Sequence, residues 1–410
     1  MRNRQAGLIF IFITLLIDVL GLGIIIPVLP QLVGELVGGD LSVAAYYFGW
    51  LLAAYAAAQF IFAPIMGSLS DRYGRRPVVL LALFGAGVDY LFMAVAPTLW
   101  LLFVGRTIAG IMGASFTVGN AYIADISPPE KRAQNFGLVT AAFGVGFIIG
   151  PALGGIIGVL GPRAPFVAAA VLTLINWLYG FFVLPESLVP ENRRMFAWSR
   201  ANPVGSLLAL GRYPVVLGLT ATIVLVSLAG QALQSTWVLY TTYRFDWTTA
   251  QNGISLAVFG AVSIVVQIWL LRVLMPRLGE RRAMVIGLLS NAAAFFFYGL
   301  VSQGWMLYVV MVATCLAFLT NPAAQGLISR QVGPTEQGAV QGALTSLVAL
   351  TGIVGPPLAT ELFAHFTRPE ASVQIPGIAF YMAAALSLVG LLLAIRAFRA
   401  LPAQEEAVTA

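Results

Sequence analysis

Residues 67–77 read Gly67-Ser68-Leu69-Ser70-Asp71-Arg72-Tyr73-Gly74-Arg75-Arg76-Pro77, a short basic turn between apolar runs at 44–69 and 77–97. Each run is long enough to cross a ~30 Å hydrocarbon core as a helix, which takes about 20 residues. Glycine permits a tight turn, Asp71 can cap or pair locally, and the arginines suit the anionic inner face of a bilayer. A topological anchor needs only the arginines. Asp71 and the spaced glycines therefore point to a gating role for Gly67, Asp71, Arg72, Gly74, Arg75 and Arg76.

The rest of the chain extends the same pattern. Of 410 residues, 60% are apolar and 9% charged, with a mean hydropathy of +0.91; soluble domains carry about 25% charged residues. So few charges cannot keep so much apolar surface in water, and lipid is the solvent for most of the chain. About twelve spans follow: roughly 6–30, 44–69, 77–97, 99–122, 134–160, 163–184, 212–238, 250–275, 283–302, 305–328, 337–362 and 376–399. The first, preceded by Arg2 and Arg4, is too long for a signal segment and reads as a retained helix.

Basic residues orient these spans. With the N-terminus inside, 18 of the 22 Lys and Arg fall on the inner face. Arg163, Arg244 and Arg368 fall outside, and Arg106 lies within a span. Both termini are thus expected in the cytoplasm of a multi-pass protein of the cell (inner) membrane.

The chain also repeats itself. An offset of 205 carries Gly74 to Gly279, Trp100 to Trp305, Pro129 to Pro334, Gly137 to Gly342, and Gly150-Pro151 to Gly355-Pro356. The fold class expected is an all-α membrane protein of twelve transmembrane helices, in two six-helix bundles related by pseudo-twofold symmetry. The bundles are residues 1–184 and 212–410, joined by a cytoplasmic linker at 185–211. Parallel halves of this kind build one large transporter class. The loop motif itself reads as degraded in the second half, where Pro276-Arg277-Leu278-Gly279-Glu280-Arg281 takes its place.

Composition removes several function classes. One cysteine (Cys315) and one histidine (His365, expected in an outer loop) leave no disulfide framework and no metal site. No phosphate-binding glycine loop or nucleophile–base pair appears, so no enzyme activity and no cofactor is expected. The net charge of +6 is spread in clusters between apolar runs, which argues against a nucleic-acid partner. The partners expected are a small-molecule substrate, protons and the lipid bilayer, with the chain acting as a monomer.

Three ionisable residues lie deep in spans, where each costs at least ~2.5 kcal/mol on insertion scales. At 1.5 Å per residue, Asp18 and Asp89 sit about 18 Å from the inner ends of their helices. Arg106 sits about 20 Å from the inside, so all three share one layer near mid-membrane. They form either a satisfied ion pair, such as Arg106 with Asp89, or a proton-coupling site. Two acids near one arginine leave one acid without a full partner, and desolvation favours its protonated form. Asp18 is the first candidate for proton carrier and Asp89 the second, with Arg106 biasing both. Gln59, Asn120, Gln231, Gln234, Asn291, Asn321 and Gln325 are candidates for lining a substrate cavity or for bonding between helices. Asp125 and Glu361, near helix ends, are structural or gating candidates.

These stretches carry a resemblance. Gly67–Pro77 is similar to the cytoplasmic loop motif of the major facilitator superfamily, and Arg106-Thr107-Ile108-Ala109-Gly110-Ile111-Met112-Gly113-Ala114 resembles its fourth-helix motif. Gly137, Gly146, Gly150-Pro151 and Gly154-Gly155 match the spacing of the fifth-helix motif of proton-coupled exporters. The glycines permit close helix approach and Pro151 removes one backbone hydrogen bond, so Gly150 and Pro151 join the gating candidates.

Within the superfamily the likeness is to the tetracycline/proton antiporter (drug efflux) family, over nearly the full length. It is carried by Asp18 through Pro30, by Tyr55-Ala56-Ala57-Ala58-Gln59 to Pro64, by Asp89-Tyr90, by Asn321-Pro322-Ala323-Ala324-Gln325, and by Gln341-Gly342 to Gly355-Pro356. Where that family usually has an acid in the ninth helix this chain has Asn291. Where it often has a histidine in the eighth, Ser263 is near. The resemblance implies proton-coupled efflux of a small amphipathic compound, tetracycline-like or another drug, by alternating access. A facilitator or proton symporter importing a nutrient is the alternative on the same fold. A receptor or scaffold would gain nothing from mid-membrane acids.

Overall fold

The computed structural model describes residues 2–113, 115–128, 131–193, 214–332 and 337–399, and no strand occurs among them. Residues 194–211 of the expected linker lie outside the described residues, as do Pro129 and Pro334 of the repeat.

Proline places the first departure from the expected spans. Pro27 and Pro30 bring no amide hydrogen to a helical ladder. The run expected at 6–30 is accordingly two helices, α1 (Arg2–Ile25) and α2 (Leu29–Leu36), bent by 42°. α3 (Leu41–Tyr73) starts at Asp40, whose carboxylate accepts from the amides of Ser42 at 2.8 Å and Val43 at 3.2 Å, an N-cap. Gly74, at φ 104°, ends α3 and lets α4 (Arg75–Val95) start at once. α5 (Leu99–Met112), α6 (Ser115–Ile126), α7 (Arg132–Gly158) and α8 (Ala164–Val183) complete the first half.

The second half holds α9 (Pro214–Phe245), α10 (Thr249–Val265), a π turn at Val266–Leu270 and α11 (Leu271–Leu300). α12 (Gly304–Ala313), a 3-10 turn at Cys315–Leu319, α13 (Thr320–Gln331), α14 (Gln337–Thr367) and α15 (Ile378–Arg399) follow. His365 lies in the last turn of α14 rather than in a loop, and is exposed.

Among the described residues nine helices are long and apolar enough to cross a membrane, and the two bent pairs α1–α2 and α12–α13 raise this to eleven. One of the nine, Thr249–Leu300, has 52 residues. At 1.5 Å per residue that is about 78 Å, more than twice a ~30 Å core. It breaks at Gly279, where φ is 69° and ψ 164°, and so makes two spans. Twelve spans result.

Packing divides the chain into two units, Met1–Asn202 with Trp247–Gly260, and Pro203–Asp246 with Ala261–Ala410. In the first, Ile11, Leu15, Val79, Leu83, Val118 and Tyr122 build a buried core. In the second, Leu219, Met284, Leu288, Leu327, Leu344 and Ala394 do so. Neighbours correspond: α1 packs on α7 and α8 as α9 packs on α14 and α15, and α4 packs on α8 as α11 packs on α15. Large apolar side chains meanwhile stay exposed, Leu160 at 82% and Phe182 at 76%. Such surfaces need lipid.

Candidate functional site

Arg75 is the hub of the turn between α3 and α4. Its guanidinium lies 2.6 Å from Asp71, 3.1 Å from Asp125 and 2.6 Å from the Ser70 hydroxyl, tying the ends of α3, α4 and α6 together. The side chain is only 9% exposed, so these partners replace most of its water. Glu186, just past α8, accepts from the amides of Arg75 at 2.8 Å and Arg76 at 3.3 Å, capping α4 with a carboxylate at its positive end. A β-carbon on Gly74 would collide with that carboxylate. Arg72 lies over the Tyr73 ring at 5.1 Å, and Arg76 donates to Phe181 O at 2.7 Å. Gly67 lies within α3 with Thr117 Cγ2 3.6 Å from where a β-carbon would stand.

The second unit keeps the turn and one ion pair of this arrangement, with the charges of that pair exchanged. Gly279 takes up the turn that Gly74 makes, φ 69° and ψ 164° against 104° and 157°. Glu280 follows where Arg75 follows Gly74, and lies 3.1 Å from Arg330, which stands where Asp125 does. The degraded loop thus keeps its turn and one ion pair, while Met275 and Pro276 stand where Ser70 and Asp71 hold Arg75. Sign inversion hid that pair, since residue identity changes while geometry does not.

Asp18, Asp89 and Arg106 come together in the first unit, 6%, 2% and 5% exposed. A small cavity, with room for about one water, is lined by Asp18, Tyr55, Asp89, Tyr90, Met112 and Phe116 among others. Both Asp89 carboxyl oxygens, and Arg106 Nε, lack a hydrogen-bond partner among the described residues. Arg106 and Asp89 therefore share the site without closing the hydrogen-bonded pair. The guanidinium instead lies over the Tyr55 ring, 4.4 Å from its centroid.

Glycines bring these helices together. A β-carbon on Gly23 would stand 2.9 Å from Gly150 Cα and 3.0 Å from Pro151 Cδ, and one on Gly154 would strike Ile24 O. α1 and α7 thus touch backbone to backbone. Gly253 of the segment Trp247–Gly260 similarly has no room for a β-carbon against Pro151 O.

Comparison with known proteins gives these features a family. The sequence profile of the Major Facilitator Superfamily matches residues 11–356 and again 272–410. The chain belongs to this superfamily. It is 41% identical over 389 residues to the class C tetracycline resistance protein of Escherichia coli, covering 95% of this chain and 96% of that one. With the class G tetracycline resistance protein of Vibrio anguillarum it shares 40% identity, over 88% and 91% of the two chains. Among solved structures, the human organic anion transporter MFSD10 (TETRAN) superposes with a TM-score of 0.68 at 24% identity, over 95% and 99% of the chains, a likeness of fold. The chain is a multi-pass inner-membrane transporter that exports a small amphipathic compound in exchange for protons.

In this major facilitator chain the remaining polar candidates separate. Gln59 joins the charged layer, donating to Gly113 O at 3.3 Å with Tyr55 Oη 3.5 Å away. Gln325 accepts from Gln341 at 2.9 Å within the second unit. Gln231 packs against Gly355, its Cβ 2.5 Å from where a β-carbon there would stand. Asn120, Gln234 and Asn321 are exposed, and Asn291 is half-buried in α11.

Sequence reading missed Tyr55 as Arg106's partner, Glu186 as the cap of α4, and Glu280 with Arg330. It also missed a buried polar layer beside α1, where Asn176 donates to Thr14 O at 3.1 Å and Thr173 is fully buried. The 205 offset carries a signal for Glu280 and Arg330, and Arg106-x-x-x-Gly110 carries one for Tyr55.

Proposed function

We propose that the exported compound is tetracycline-like and that Asp18, Asp89 and Arg106 form the proton-handling site. The observation that carries the substrate is the identity of about two residues in five to two tetracycline resistance proteins over nearly their whole lengths. The proton assignment rests on three buried charges in the first unit, of which Asp18 and Asp89 line one small cavity, with both oxygens of Asp89 open to a proton. The absence of a hydrogen-bond partner for either Asp89 oxygen among the described residues moves Asp89 to the front of the two carboxylates. A proton on Asp89 leaves Arg106 to its aromatic neighbour; an ionised Asp89 competes for the guanidinium. Exchange between the two states couples proton movement to rearrangement of the first bundle.

The bundles are 1–184 and 212–410, the linker 185–211 is cytoplasmic with both termini, and the chain works as a monomer. The inner clustering of Lys and Arg supports that orientation. Arg75 with Asp71 and Asp125 acts as an inner latch that opens and closes as access alternates, and Gly150-Pro151 provides the seam along which α7 moves on α1. Gln59 and the exposed amides supply polar contacts to the drug.

The test is tetracycline accumulation in cells with and without the protein. Lower accumulation in expressing cells, abolished by a proton uncoupler, is expected. Unchanged tetracycline accumulation alongside uncoupler-sensitive loss of another amphipathic drug would reassign the substrate. Labelling of single cysteines at the termini from the cytoplasmic side tests the orientation.

A further inference from the structure

The fourth-span motif places two glycines, Gly110 and Gly113, against one tyrosine of a neighbouring helix. Gly110 follows Arg106 by one helical turn and shares its face of α5. A β-carbon there would collide with Tyr55 O, and one on Gly113 would stand 2.7 Å from Tyr55 Oη. On the other side of the arginine, a β-carbon on Gly105 would stand 3.2 Å from Asp89 Oδ1. α5 can therefore lie against the Tyr55 main chain while leaving its ring and the Asp89 carboxyl on either hand of Arg106. Gln59, four residues along α3, lies 3.5 Å from the Tyr55 hydroxyl and holds Gly113 O. The ring is thus fixed at both ends, with the guanidinium 4.4 Å above its centroid.

An arginine 5% exposed needs something to face when the carboxyl beside it is neutral. A desolvated cation over an aromatic ring gains on the order of thirtyfold in equilibrium terms. Asp89 accepts no hydrogen bond among the described residues, while the ring is occupied. Resting on the proton-coupled reading above, we propose that Tyr55 is a positioning residue: its face is the alternate seat of the Arg106 guanidinium when Asp89 is protonated, given up when the proton leaves. The titratable groups that face Arg106 are Tyr55 from α3 and Asp89 and Tyr90 from α4, and Asp18 from α1 faces the same two tyrosines. Only Tyr55 offers its ring to the cation among the described residues.

The experiment is the pH profile of tetracycline efflux in proteoliposomes for wild type, Tyr55→Leu and Tyr55→Phe. Removing the face leaves Arg106 to the carboxylates alone. Tyr55→Leu should therefore move the half-maximal pH toward acid by about one unit, and Tyr55→Phe, which keeps the face, should restore the wild-type profile. If Tyr55→Leu fails to insert, mono- to trifluorinated phenylalanine at position 55 weakens the face at nearly constant volume and should move the profile stepwise. A Tyr55→Leu or fluorinated profile that overlays the wild type overturns the role of Tyr55 alone. A wild-type protein whose efflux ignores pH overturns the proton-coupled reading, and the Tyr55 role with it.

Discussion

Glu280 lies 3.1 Å from Arg330, and each stands 205 positions beyond a member of the Arg75–Asp125 pair of the first unit, with the opposite sign. The turn glycines Gly74 and Gly279 correspond as well. Two ion pairs of inverted polarity thus mark the two units of one duplicated fold. They differ in surroundings: the Arg75 and Asp125 side chains are 9% and 23% exposed, those of Glu280 and Arg330 19% and 62%. An exposed pair is worth about 0–1 kcal/mol, whereas stripping a buried charge of its partners costs more.

This difference sets the first prediction. Glu280→Gln should lower the efflux rate by no more than about fivefold. Arg75→Gln, which leaves Asp71 and Asp125 without their shared cation, should lower it by more than tenfold. The paired exchange Glu280→Arg with Arg330→Glu should transport better than either single change. Equal losses for Arg75→Gln and Glu280→Gln, at matched expression, would show that burial does not separate the two pairs.

A second prediction concerns the α1–α7 seam. In Gly150→Ala the new methyl meets Gly23 Cα at 2.8 Å, a backbone atom with nowhere to go. Overpacking of this kind costs about 1–3 kcal/mol, read as a lower melting temperature in detergent. Gly67→Ala meets only Thr117 Cγ2 at 3.6 Å and improves helix propensity. It should melt at or above the wild-type temperature.

Glu186 yields a third. It accepts from the amides of Arg75, Arg76, Ser187 and Leu188. Glu186→Ala should cost about 1 kcal/mol, the usual scale for losing a helix cap. Glu186→Gln keeps an acceptor and should cost less. Amide hydrogen exchange at the start of α4 should quicken in the order wild type, Glu186→Gln, Glu186→Ala.

Much of this was legible in the sequence because membrane helices announce themselves by bulk. Apolar length placed the spans, glycine and proline placed the repeat, and the cost of burying charge singled out Asp18, Asp89 and Arg106. What escaped was contact chemistry. Nothing in Tyr55 as a residue marks it as the seat of a cation; Gly110 and Gly113 hold the clue, and it is read only once α5 is set against α3. Glu186 lies 111 residues from Arg75, whose amide it holds. The Glu280–Arg330 pair was hidden by its own inversion of sign. The bends at Pro27 and Thr314 were blurred because an apolar run reads the same straight or broken.

The central claim, that a buried carboxylate of the first bundle couples protons to drug export, is tested most directly in proteoliposomes with an imposed pH gradient. Gradient-driven tetracycline flux and gradient-free tracer exchange are measured side by side for wild type, Asp18→Asn and Asp89→Asn. The account predicts that Asp89→Asn loses gradient-driven flux while keeping tracer exchange, because the drug pathway survives and the proton carrier does not. Gradient-driven flux at the wild-type rate in both variants would contradict it.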